Sequence, residues 1–176
     1  MNKPLIPKRE LDPESCDAIL DTAKTIYNEE YDRFKQVETK TGITLGFVGV
    51  LFGVFLTYAT SIKIPTGQIA HAIYSYIFQI VIAILLTLSA VRFINAIKVG
   101  TFEQVDINNI VDSDFAKETP ARVKIDLAAT YQESINSNSE RVDRKNKNYS
   151  AGLGLMLWGF ILFVIYIIIE EIIKNV

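Results

Sequence analysis

The chain has 176 residues, of which 49% are hydrophobic, and its 18 basic and 20 acidic residues leave a formal net charge of -2. The length fits a single domain, and a lone cysteine, Cys16, excludes an intrachain disulfide and a multi-thiolate metal site. The net charge itself decides little, because the hydrophobic residues gather in three nearly charge-free blocks, Gly42 to Thr60, Ala72 to Ile97 and Ala151 to Ile169.

Residues 1–12 read as an amino-terminal tail. Its first ten residues, Met1 to Glu10, hold no apolar run, so no cleaved secretion signal is expected and the first spanning helix must direct insertion itself. Asp12-Pro13-Glu14-Ser15 is a helix start: Asp12 caps free N–H groups, Pro13 suits the first turn and Glu14 opposes the positive end of the helix dipole. This predicts a cytoplasmic helix over 13–41 that runs on into the first span. Cys16, Leu20, Ala23, Tyr27, Phe34, Val37 and Thr41, with Tyr31 beside them, form one narrow apolar stripe with coiled-coil spacing on an otherwise charged helix.

The first span is placed at 42–60. Gly42, Gly46, Gly49 and Gly53 fall at steps of four, three and four, and Thr57 and Thr60 continue the line along one helix face. In lipid, helices associate through close backbone approach and dispersion contacts, which a glycine groove supplies. The expectation is that Gly42, Gly46, Gly49, Gly53 and Thr57 pack helices, either within one protomer or between protomers of a ring, and self-assembly is the favoured reading. The same glycines are not a nucleotide loop, since no strand precedes them and no Lys-Ser or Lys-Thr follows.

An extracytoplasmic loop at 61–71 carries only Lys63, and contains the single histidine, His71, with no carboxylate or cysteine near it in sequence. The second span, 72–97, has a weaker polar and small face of Ser75, Gln79, Ala83, Thr87 and Ala90. Gln79 is expected to hydrogen-bond across helices, worth about 1 kcal/mol, in preference to facing water in a pore. Arg92, near the cytoplasmic end, is expected to snorkel to the headgroups. A connector at 98–119 follows; its Asp106, Asn108, Asn109, Asp112 and Asp114 evoke a calcium loop, but Ile110 stands where an oxygen ligand belongs and the central glycine is missing.

Thr119-Pro120 starts a second cytoplasmic helix over 120–150, with a stripe of Val123, Leu127, Tyr131, Ile135 and Val142. Both long helices run towards the bilayer, so their stripes are expected to pair in parallel. Ser134 to Ser150 is rich in serine and asparagine, poor helix formers, and reads as bent, mobile or water-facing. The third span is placed at 151–169, followed by a tail at 170–176 with two glutamates and one lysine.

Basic residues flank the spans unevenly. Arg33, Lys35 and Lys40 precede the first, and Lys98, Arg141, Arg144, Lys145 and Lys147 lie between the second and the third. The positive-inside rule then puts the amino terminus and the connector in the cytoplasm and the carboxyl terminus outside. Lys40, Arg141, Arg144, Lys145 and Lys147 are expected to contact lipid headgroups, with anionic lipid a simpler partner than nucleic acid. No Asp, Glu, Lys or His lies midway along any span, which disfavours an ion-coupled transporter. No residues form a catalytic triad or a metal site, so no enzyme activity, cofactor or metal is expected.

The stretch Tyr31-Asp32-Arg33-Phe34-Lys35-Gln36-Val37-Glu38-Thr39-Lys40-Thr41-Gly42-Ile43-Thr44-Leu45-Gly46-Phe47-Val48-Gly49 resembles the entry to the first span of small bacterial anti-phage membrane effectors, and is most similar to the Pycsar membrane effector family. Thr41 stands where that motif has an alanine-like residue. The resemblance implies a resting protein that, on infection, assembles or opens and compromises the inner membrane, with Lys40 and the glycine line as matching positions. CRISPR-associated accessory membrane proteins share this size and plainness. The overall expectation is an all-α integral membrane protein with three transmembrane helices, two long cytoplasmic helices continuous with the first and third spans, and a homo-oligomeric effector role. The alternative is an accessory scaffold that docks a soluble defence-system partner.

Overall fold

The computed structural model describes residues 11–62, 68–105 and 117–175. Lys63, the tail residues 1–10 and the calcium-loop residues Asp106 to Asp114 lie outside the described residues. Among the described residues the chain is all-helical: α1 (Pro13–Ser61), α2 (Ile69–Lys98) and α3 (Pro120–Asn175). Each contains a stretch long and apolar enough to cross a membrane.

Asp12 caps α1. Its carboxylate accepts the Ser15 N–H at 3.0 Å and the Ser15 hydroxyl at 2.6 Å, and the hydroxyl bond, followed by the backbone one, holds the Asp12 carboxyl below its usual range. From there α1 runs 49 residues without a break, past Thr41 and Gly42. Similarly, α3 runs 56 residues from Pro120 past Ser150. Ser134 to Ser150, expected to be bent, mobile or water-facing, is continuous α-helix. The reason is tertiary: Ser134, Asn138 and Lys145 are buried, and the side chains of Asn138 and Lys145 bond to other segments, so they do not compete for their own backbone.

The chain divides into two compact units, Met1–Phe34 with Thr101–Glu140, and Lys35–Gly100 with Arg141–Val176. In the first unit the start of α1 and the start of α3 pair in parallel, because Asp17 meets Lys124 at 2.6 Å while, further along both helices, the Tyr27 and Tyr131 rings pack edge-on at 5.3 Å. Cys16, Leu20, Phe34 and Ala128 form the buried apolar part. A strap without regular structure, Thr101–Val105, lies against these helices. Its Phe102 ring centroid lies 5.3, 5.0 and 5.5 Å from those of Tyr27, Tyr31 and Phe34. Burial raises the Tyr27 hydroxyl above its ordinary pKa, although a backbone bond opposes this.

The second unit packs the remainder of α1 and α3 against α2. Its core is built from Val48, Leu51 and Phe55 of α1, Ile82, Leu86 and Phe93 of α2, and Met156, Phe163 and Tyr166 of α3. Glycines on α3 let side chains of α2 pack closely against its backbone. A Cβ on Gly152 would sit 3.0 Å from the Phe93 ring, and one on Gly159 would sit 3.0 Å from Leu86. Between them, the Ser89 hydroxyl donates to the Gly152 carbonyl at 2.8 Å.

Candidate functional site

Three arrangements in the spanning unit merit attention. The first is the glycine face of α1. The buried side of that helix carries Thr41, Val48, Leu51 and Phe55, whereas Gly42, Gly46, Gly49 and Gly53 are all exposed. A Cβ added at any of the four would meet nothing within 4 Å. This face is therefore not the groove that holds the three helices together. Thr57 belongs to the same exposed side, and its hydroxyl donates to the Gly53 carbonyl at 3.0 Å, which satisfies it within its own helix.

The second is a hydrogen-bonded ladder between α2 and α3. His71, Ser75 and Gln79 follow one another at four-residue steps on α2, and Tyr166 and Glu170 do so on α3. His71 Nε2 lies 3.0 Å from Glu170 Oε2. The Ser75 hydroxyl donates to Glu170 Oε1 at 2.9 Å and also contacts the Tyr166 hydroxyl, which accepts from Gln79 Nε2 at 2.8 Å. Ser75, Tyr166 and Glu170 are wholly buried. His71, placed in a loop by sequence reasoning, lies inside α2, and its carboxylate partner is 99 residues away. Glu170, assigned to a tail, is interior to α3.

The third is a junction at the opposite end of α2. Lys145 of α3 is fully buried, and its ammonium donates to Glu38 Oε1 of α1 at 2.9 Å and to the carbonyl of Ile97 in α2 at 3.3 Å. One cation thus touches all three helices. Lys145 was expected at lipid headgroups; the structure instead turns it inward, because a carboxylate and a carbonyl near the end of α2 replace its hydration. Lys40, Arg92, Arg144 and Lys147 are exposed, and Arg141 is half-buried, its stem packed near Gly100.

The structure thus brings together Gln79 and Lys145 with partners on other helices, and leaves Gly42, Gly46, Gly49, Gly53 and Thr57 facing outward. Sequence reasoning missed Glu170, Tyr166 and the role of His71. The signal present was the four-residue polar step on each of two apolar helices, which gives a face without its partner. Among the described residues, no group of three or more His, Cys, Asp or Glu side chains could hold a metal ion.

Comparison with curated proteins and with solved structures finds no match to this chain. A family model described as the Pycsar effector protein domain, by contrast, matches residues 22–170, a stretch that takes in the glycine face, the Lys145 junction and the ladder as far as Glu170. On that match the chain belongs to the Pycsar effector family, membrane proteins of anti-phage defence.

Proposed function

We propose that this chain is a non-enzymatic, self-associating effector of the bacterial inner membrane that breaches the bilayer by forming a ring or pore through the glycine face of α1. The supporting observation is the contrast between two sets of glycines. Gly152 and Gly159 are filled by Phe93 and Leu86 of the same chain, whereas Gly42, Gly46, Gly49 and Gly53 meet open space. A row of glycines exposed on a spanning helix lets a second backbone approach closely, which is how helices associate in lipid. The placement of basic residues supports an amino terminus in the cytoplasm and a carboxyl terminus outside.

Replacing Gly46 and Gly49 together by leucine tests this. The expected result is a smaller detergent-solubilised particle and loss of membrane leakage in infected cells, with the protomer still folded. An unchanged particle mass would reject it.

A second reading is an accessory subunit that docks a soluble partner. It is favoured by an open apolar groove in the first unit, lined by Ile19, Ala23, Ile26, Ile125, Ala129 and Ile135. That reading predicts no dye release from liposomes containing the purified protein, whereas the pore reading predicts release from the assembled form.

A further inference from the structure

The strap Thr101–Val105 in the first unit is held in the manner of a bound ligand. The Phe102 ring is met edge-on by Tyr27, Tyr31 and Phe34, at interplanar angles of 66°, 64° and 71°. The backbone N–H and carbonyl of Glu103 are both gripped by one side chain. Asn138 Oδ1 accepts the Glu103 N–H at 2.7 Å, and Asn138 Nδ2 donates to the Glu103 carbonyl at 2.9 Å. The Tyr27 hydroxyl donates to that carbonyl at 3.3 Å, and the Ser137 hydroxyl donates to the Glu103 carboxylate at 2.6 Å. Asn138 is fully buried. Asparagine is a poor choice for the interior of a long helix, so its place there is explained by the clamp it forms.

Three features make this grip releasable. The strap has no regular secondary structure to hold it in place. Glu103 and Gln104 are exposed and Phe102 is only half-buried, so water and competitors reach it. The two helices carry their own backbone hydrogen bonds, which do not depend on the strap. Immediately before it, Gly100 has φ 46°, a left-handed conformation that side chains resist.

We infer that Phe102 and Glu103 form an autoinhibitory latch. Seated between α1 and α3, the strap fixes the chain leaving α2 in the resting effector; unseated, it frees that chain and permits activation. This rests on the membrane-effector reading above and adds its regulation. A permanent structural filler makes the opposite prediction, since its loss would inactivate the protein rather than switch it on.

The test uses the full-length chain carrying Phe102→Ala, and separately the milder pair Tyr27→Phe with Ser137→Ala, expressed at wild-type level in uninfected cells. Hydrogen exchange at the Glu103 amide in solubilised protein reports the strap directly, and dye uptake with cell survival reports the effector. The expected result is exchange about ten-fold faster, as for a locally opened segment, together with dye uptake and lost survival without phage. Faster exchange in the solubilised variant, with cells as sealed as those expressing wild-type protein, would overturn the latch, as would unchanged exchange in both variants. If Phe102→Ala fails to reach the membrane, the milder pair decides by the same readings. Adding Gly46→Leu and Gly49→Leu to the activated variant separates the two proposals. Leakage that persists removes the glycine-face assembly and leaves the latch standing.

Discussion

A methyl group added at Gly159 would press on Leu86, and one at Gly152 on the Phe93 ring, while the same group at Gly46 would meet nothing. Gly159→Ala should therefore destabilise the protomer by about 1–3 kcal/mol through overpacking, whereas Gly46→Ala should leave it unchanged or stabilise it by up to about 1 kcal/mol through helix propensity. Thermal denaturation in detergent of the two variants checks this ordering. At the junction, Glu38→Ala removes the carboxylate nearest the Lys145 ammonium. Removing one partner of a buried pair costs about 3–5 kcal/mol; because Glu38 is 42% exposed, water fills part of its place and the expected loss falls to about half that figure. Lys145→Met, which leaves only a half-exposed carboxylate behind, should cost less, and the same melting experiment compares them. The Asp12 cap has a pH signature. Its folded pKa is lowered from 3.8, so its contribution is complete above that value and is lost as pH falls through the folded pKa. Exchange at the Ser15 amide should accelerate on acidification below about pH 4, and Asp12→Asn should remove that dependence.

Among the elements, the three spans were legible because lipid demands about 20 uncharged residues in a row, and few other structures need them. The unbroken passage of α1 from Pro13 to Ser61 was legible too, since nothing between the cap and Gly42 stops a helix. What the sequence hid was partnership. His71 and Glu170 are 99 residues apart, and periodicity assigns each to a face without saying which face meets it. Lys145 was one of several basic residues before the third span, with nothing in its neighbours to mark it as the buried one. The serine- and asparagine-rich stretch of α3, read as bent, mobile or water-facing, was obscure for the same reason, because Asn138 serves the strap and Lys145 the junction. Between α2 and α3, Ser75→Ala combined with Tyr166→Phe removes the centre of the ladder. At about 0.6 kcal/mol for an average interhelical hydrogen bond in a membrane protein, the pair should lower stability by roughly 1–2 kcal/mol while leaving helix content unchanged. Circular dichroism melts in detergent would show a shifted midpoint with the same starting signal.

For the molecule as a whole, the proposed topology, in which all three apolar helices cross, puts the two termini on opposite sides of the bilayer. Topology reporters fused at each end should therefore give opposite signals, with the amino-terminal fusion reading as cytoplasmic. The same sign from both fusions would mean that one apolar helix does not cross. The Tyr27 hydroxyl adds a test of the first unit. Burial raises its pKa above 10.0, so its contribution is intact below that value and disappears as pH climbs through the folded pKa. Glu103 amide exchange should accelerate above about pH 10, and less so with Tyr27→Phe.

The spanning unit is fastened at both of its rims, by His71 against Glu170 at one and by Lys145 against Glu38 and Ile97 at the other. Groups like these gain strength as water leaves and are costly to separate in a nonpolar medium. Prising α2 from α3 must therefore rupture contacts at both ends together, with no cheap halfway stage. For the membrane-breaching effector proposed above, that behaviour means silence under small disturbances and an abrupt yielding once the disturbance is large enough.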